Sequence, residues 1–293
     1  MEKRLIVVAG PTAVGKTEAA IRLAERLGVP AIISADSRQC YRELSIGVAR
    51  PSESQLARVP HYFVASHSIH QPINAAEYER LALGWLDDIF AQHDTAIVCG
   101  GTGLYIRALL DGVDEMPTVD EAVKTAVDAA FAEGGIAYLQ DALRAEDPAF
   151  LQSGVDIQNP ARLARALAFL RSTGESILAY QSKTRKQRDF QAVRLCLTLP
   201  RETLYARINA RVDAMMEMGL LDEVRSLLPD RNLPALNTVG YAELFHFLEE
   251  KMTLPEAVEK IKQHTRNYAK RQETWFRNTG GWTMVEDLDE VVG

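Results

Sequence analysis

Residues Gly10–Thr17 read GPTAVGKT, a G-x-x-x-x-G-K-[ST] pattern, and they constrain the fold more than any other stretch of the chain. The pattern follows a short β-rich run, Arg4–Ala9, and opens Thr17–Leu27, whose apolar residues recur at helical spacing. A strand that enters a glycine-rich turn and leaves as a helix gathers backbone amides at a helix N-terminus, where the helix dipole also favours phosphate. The expected phosphate cradle is Gly10, Pro11, Thr12, Ala13, Val14, Gly15, Lys16 and Thr17. Lys16 would contact the phosphates, and the Thr17 hydroxyl would help to hold Mg²⁺. The motif demands a phosphate ligand without saying which.

Further strands alternate with helices. Ala31–Ala35 reads as a second buried strand ending at Asp36, Ala75–Phe90 as an amphipathic helix, and Thr95–Cys99 as a third strand closed by Gly100 and Gly101. Such alternation implies a parallel sheet covered on both faces, with ligands outside the carboxyl ends of the strands. After Gly112 the pattern becomes helical over Val119–Glu133, Ile136–Ala145 and Pro160–Thr173, and a strand returns at Val193–Leu199. The tail is helical again over Arg201–Met218, Leu220–Leu228, Tyr241–Glu250 and Leu254–Arg277. The expected architecture is α/β: a parallel-sheet core from residues 1–112 and 191–293, with an all-helical insertion, 113–190, over the active site.

With 47% hydrophobic and 25% charged residues, the composition is that of a globular protein. No apolar run approaches the roughly 20 residues that cross a bilayer, and no membrane association is expected. The opening MEKRLIVVAG passes directly into a strand pattern without a signal-peptide cleavage region. Cys40, Cys99 and Cys196 are widely spaced and odd in number, which indicates neither a disulfide framework nor a zinc cluster, so a reducing cytoplasm is expected. The net charge of −7 argues against a polyanionic partner, but the charge is uneven. Arg162–Arg188 holds seven basic residues against Glu175 alone, and Lys260–Arg277 holds six against Glu273 alone. Local basic faces govern polyanion binding more than the total does, although solvated helix faces carry similar runs.

An ATPase or GTPase usually carries an Asp at the end of another core strand to hold Mg²⁺. Here the third strand ends Cys99-Gly100-Gly101, and the carboxylate instead ends the second strand, as Asp36. A base beside a phosphate cradle suits group transfer to an incoming nucleophile. Small-molecule kinases share that arrangement, so phosphorylation of a nucleotide is a competing reading at this point.

The order of the motifs separates these readings. GPTAVGKT is followed by DSRQCYRELSIGVARPS (Asp36–Ser52), GGTGLYIRALLDG (Gly100–Gly112) and QNPARLARAL (Gln158–Leu167). RINARVDAMMEMGLLDEV (Arg207–Val224), VGYAEL (Val239–Leu244) and TRNYAKRQETWFRN (Thr265–Asn278) complete the series. From end to end the chain resembles the tRNA dimethylallyltransferase family. The resemblance implies a P-loop core with a helical insertion, and a channel that dimethylallyl diphosphate and a tRNA anticodon stem-loop enter from opposite sides. It implies tRNA contacts at Asp36, Ser37, Arg38 and Gln39, at Thr102, and at Gln158, Asn159, Pro160, Ala161 and Arg162. A further contact, usually Arg in the family, falls at Lys124, which keeps the charge without the planar fork. The paired His of the family appears as His61-Tyr62, so His61 is given no role. The chain ends soon after the basic helix without the zinc-finger extension of eukaryotic members, so the compact bacterial type, acting as a monomer, is expected.

In this family the loop holds a leaving diphosphate. Arg207 and Arg211 lie four apart on one helical face, and the resemblance favours Arg211 as the diphosphate contact. Asp36 is the expected base for a weakly nucleophilic adenine amine, with Thr102 holding the flipped base or the backbone beside it. Lys262, Arg266 and Lys270 recur every four residues as a basic stripe suited to an RNA backbone. An adenylate isopentenyltransferase would share the donor chemistry but would need neither the basic windows nor the QNPAR segment.

Overall fold

The computed structural model describes residues 2–181 and 185–288. The chain runs β1 (Arg4–Ala9), α1 (Lys16–Leu27), β2 (Ile32–Ser34), α2 (Glu53–Arg58), β3 (His61–Tyr62), α3 (Ala75–Phe90), β4 (Thr95–Gly100) and α4 (Gly103–Asp111). The helices α5 (Glu121–Glu146), α6 (Pro148–Gln152) and α7 (Pro160–Thr173) follow. Then come β5 (Gln191–Leu197), α8 (Arg201–Glu217), α9 (Leu220–Ser226), α10 (Tyr241–Leu248), α11 (Leu254–Thr279) and β6 (Thr283–Val285).

The strands form one six-stranded parallel sheet in the order β3-β2-β4-β1-β5-β6. A central parallel strand is buried on both faces and therefore reads as a continuous apolar run, as RLIVVA does. Leu5, Val7 and Ala9 point into one core with residues of α3, α4, α10 and the flanks of α11. Ile6 and Val8 point into the other, beneath α1 and the first half of α8. The edge strands β3 and β6 were not anticipated, because two or three residues are too few to display a period.

Two compact units emerge: residues 1–112 with 186–293, and residues 113–185. The second unit contains helices and no strand among its described residues and has its own core of Val127, Leu139, Leu143, Leu163, Leu167 and Phe169. Its long helix α5 breaks at Gly135, whose φ of 64° and ψ of −162° leave the helical region, and this accounts for the two separate helical patterns in the sequence. The sheet unit resumes at Lys186, earlier than the expected residue 191. Lys186 N donates to Asp111 O at 2.8 Å, and the Arg188 guanidinium donates to the Ala108 and Leu109 carbonyls and to buried Glu79. Charge and hydrogen bonding, rather than an apolar pattern, anchor that segment.

The loop after β2 is held by side chains from distant helices. Glu223 of α9 accepts the amides of Ser45, Ile46 and Gly47 at 3.1, 2.8 and 3.1 Å, and the Tyr241 hydroxyl at 2.6 Å. Arg50 donates to the carbonyls of Tyr41, Arg42 and Leu44 from inside the same loop. Glu223→Ala strands these amides and a phenol that burial drives well above its usual pKa. The expected loss is roughly 1–3 kcal/mol of unfolding free energy, read as a lower urea midpoint.

Candidate active site

Leaving β1 the chain crosses over β4 to reach β2, whereas leaving β4 it passes to β5 on the far side of β1. The adjacent exits of β1 and β4 therefore diverge and open a crevice at their carboxyl ends, where ligands of such sheets bind. Gly10 turns there at φ 144°, and a Cβ would stand 2.7 Å from the Leu197 carbonyl oxygen, so only glycine lets the loop hug β5. Ala13 adopts φ 66° and Gly15 φ 106°, which turn the following amides inward. Among the described residues, the amides of Ala13 through Thr17 donate to no protein acceptor. They form an open row of donors at the N-terminus of α1, the feature that binds phosphate.

Cations converge on this row. Lys16 Nζ donates to Pro11 O at 2.7 Å. Burial holds its pKa below the ordinary lysine value; the Asp36 charge opposes the shift and Arg211 adds to it. From α8, Arg211 Nη1 reaches Thr12 Oγ1 at 3.5 Å and Arg207 Nη1 donates to Val14 O at 3.3 Å. Burial lowers the Arg211 pKa, and the like charge of Arg207 lowers it further. Neither arginine forms an ion pair among the described residues. Partly desolvated positive charge without a fixed counter-charge is matched to an anionic ligand. Cys99, deep in the same crevice, has its thiol pushed up to about 12 by burial, so it is a neutral thiol and no nucleophile.

Asp36 stands at the neighbouring strand end. Its Oδ1 accepts the amides of Arg38 at 2.9 Å and Gln39 at 3.2 Å, whereas Oδ2 takes no bond among the described residues. One oxygen thus builds the turn and the other is open. Thr102 N donates to Ala35 O at 3.1 Å, and its Oγ1 accepts Ser37 N at 3.1 Å. The end of β4 and the Asp36 turn are stitched together in this way. Arg38 donates to the Pro234 and Ala235 carbonyls and Gln39 to those of Val48 and Ala49, so both side chains help to fix the loop.

The helix α11 lies against both strand ends. Gln272, only 7% exposed, accepts Thr12 N at 2.8 Å and donates to Gly101 O at 2.9 Å. Tyr268, one turn earlier, is partly exposed with the Arg271 guanidinium 5.7 Å from its ring centroid. Burial and then the Asp36 charge push its phenol up to about 12. Gln272 was not singled out from the sequence. The available signal was register: Gln272 falls on the buried stripe of α11 that also carries Ile261, Ala269 and Phe276.

The basic stripe divides. Lys262 pairs with Asp213 at 2.8 Å and Glu259 at 3.1 Å, and Arg266 donates to Asn209 Oδ1 at 2.6 Å, so both tie α11 to α8. Lys270 is exposed and has no protein partner among the described residues. In the helical unit, Asn159 caps α7 by accepting Arg162 N at 3.2 Å, and Pro160 occupies its first turn. Gln158, Ala161 and Arg162 are exposed beside that cap. Lys124 is exposed and paired with Glu121 at 2.8 Å.

For a metal, the described residues contain no cluster of three or more His, Cys, Asp or Glu ligands. The Thr17 hydroxyl makes no bond among the described residues. This donor set fits Mg²⁺, which keeps several waters and is commonly held by substrate phosphates with few protein ligands.

Residues 39–279 match the model of the IPP transferase family. The chain is 45% identical over 290 residues to tRNA dimethylallyltransferase 1 of Bacteroides thetaiotaomicron, covering 98% of this chain and 94% of that protein. It is 44% identical over 293 residues to tRNA dimethylallyltransferase of Cytophaga hutchinsonii, covering 99% and 96%. Among solved structures, the tRNA isopentenylpyrophosphate transferase of Bacillus halodurans aligns with a TM-score of 0.70 at 34% identity, over 99% of this chain and 93% of that one. A eukaryotic dimethylallyltransferase acting on tRNA shares the fold, with a TM-score of 0.78 at 22% identity, over 99% and 75%. With the open amide row, its unpaired cations and the adjoining Asp36 turn, these likenesses identify the chain as a member of the IPP transferase family, the tRNA dimethylallyltransferases.

Proposed function

We propose that this chain transfers a dimethylallyl group from dimethylallyl diphosphate to the exocyclic N6 amine of the adenosine 3′-adjacent to the anticodon in tRNA. The observation that carries this reading is the pairing of an unsatisfied anion cradle at the end of β1 with a carboxylate oxygen, Asp36 Oδ2, left open at the end of β2. In the transfer the allylic C–O bond breaks and its electron pair leaves on diphosphate. The amides of Ala13 through Thr17, with Lys16 and Arg211, stabilise the charge that develops there. Thr17 and the phosphate oxygens would hold Mg²⁺, which supplies further neutralising charge to the leaving group. The new C–N bond forms at N6, and Asp36 Oδ2 takes the proton that the amine gives up. Oδ1, committed to two amides, keeps the carboxylate oriented while this occurs. Thr102, joined to Ser37, is placed in this reading to hydrogen-bond the incoming adenine or the backbone beside it.

The adenine must leave its stack, at a cost of roughly a few kcal/mol, and an anticodon loop already presents splayed bases. Exposed Arg162, Gln158 and Lys124 of the helical unit and Lys270 of α11 are the groups we assign to tRNA. Lys270→Ala is expected to raise KM for tRNA and to make the plot of log K against log[salt] shallower, by about one unit or less. Lys262→Ala, whose ammonium is already paired with Asp213, is expected to leave that slope alone. Filter binding across a salt series distinguishes the two variants. The function itself is tested by incubating the protein with dimethylallyl diphosphate, Mg²⁺ and bulk tRNA, then analysing nucleosides by mass spectrometry. ATP hydrolysis that needs no prenyl donor, with unmodified adenosine, would overturn the proposal in favour of phosphoryl chemistry.

A further inference from the structure

Gln272 is a polar side chain in a place where helix α11 otherwise buries apolar residues. An amide buried there is tolerated only if both ends find partners. Its partners are two backbone groups from opposite sides of the crevice. Oε1 takes the amide of Thr12 at 2.8 Å, and Nε2 donates to the carbonyl of Gly101 at 2.9 Å.

Each contact has a consequence for the site. Pro11 has no amide, so Thr12 provides the next N–H of the loop after Gly10, and Gln272 engages it. The open row therefore begins at Ala13. Thr12 also carries the hydroxyl that Arg211 approaches at 3.5 Å, so fixing its backbone fixes the anchor of that guanidinium. Gly101 precedes Thr102, whose hydroxyl accepts Ser37 N in the turn built on Asp36. A Cβ on Gly101 would collide with Gln272 Nε2, so the glycine is what allows the amide to reach the carbonyl. One side chain thus spans the donor cradle and the strand end that carries the acceptor side, from the helix that presents Lys270.

We propose that Gln272 is a positioning residue that sets the separation and orientation of the leaving diphosphate relative to the Asp36 side of the crevice. The inference rests on the prenyl-transfer reading of this site. Loss of the bridge lets the loop and the β4 end move independently, so the allylic carbon and the attacking amine meet less often in a reactive geometry. Water then competes for the same carbon: the C–O bond to diphosphate breaks, a C–O bond to water forms, a proton passes to solvent, and dimethylallyl alcohol is released. Mispositioning is therefore visible as product partition, which packing alone does not alter.

The test compares Gln272→Met, similar in length but unable to make either bond, with Gln272→Glu, which keeps the acceptor for Thr12 N and loses the donor to Gly101 O. Wild type and variants are assayed with dimethylallyl diphosphate and tRNA, counting modified adenosine and dimethylallyl alcohol, and tRNA binding is measured separately. Both variants are expected to lose about tenfold or more in kcat, with a raised ratio of alcohol to modified adenosine and an essentially unchanged Kd for tRNA. Gln272→Met is also expected to raise KM for the donor more than Gln272→Glu does. A folded variant with lowered Tm but wild-type kcat and product ratio would overturn the inference. Should Gln272→Met fail to fold, the kcat and product ratio of Gln272→Glu decide by the same criteria. A wild-type protein that makes no modified adenosine would instead reject the underlying function.

Discussion

Asp36→Asn is expected to lower kcat by roughly 10²–10⁴, the range for a positioned acid–base group, while tRNA affinity stays essentially unchanged. The geometry separates the two tasks of this carboxylate. An asparagine carbonyl oxygen still accepts the Arg38 and Gln39 amides, so the turn that carries the DSRQ segment survives. What disappears is an oxygen able to take a proton from N6. Asp36→Ala removes the turn acceptor as well and is expected to lower tRNA affinity and thermal stability in addition to kcat. Single-turnover transfer with saturating tRNA checks both variants. Wild-type turnover in Asp36→Asn would leave the residue with the turn alone.

Lys16→Ala is expected to reduce kcat/KM for dimethylallyl diphosphate by roughly 10²–10³, as removal of a preorganised charge stabiliser does elsewhere. The same change should hardly alter the stability of the ligand-free protein. It gives up the bond to Pro11 O but also relieves the burial of an ammonium group whose pKa is lowered by that burial. The cradle therefore trades intrinsic stability for affinity. Diphosphate with Mg²⁺ should raise the Tm of the wild type by mass action, and Lys16→Ala should show little of that rise. Thermal melts across a diphosphate titration provide the measurement, and an undiminished shift in the variant would remove Lys16 from the cradle.

Local chemistry was legible in the chain itself. GPTAVGKT dictates a strand, a tight turn and a helix because glycine conformations and amide donors act over neighbouring residues. The apolar run of β1, the Asn159-Pro160 start of α7 and the carboxylate ending β2 follow in the same way from short-range rules. The tertiary structure decided what those rules cannot reach. Lys262, Arg266 and Lys270 are equivalent by spacing, yet Asp213 and Asn209 of α8 engage the first two and leave the third exposed. Gln272 looks like one more polar residue in a basic helix until α11 packs across the strand ends and sets it against Thr12, 260 residues away, and Gly101. Asp36 stood out as a carboxylate ending a core strand, but the division between an occupied Oδ1 and an open Oδ2 comes from how the loop closes after β2. Helical periodicity specifies which residues share a face. Which neighbour that face meets, and hence which charges are neutralised and which polar groups are bridged, is set by packing between elements far apart in the chain.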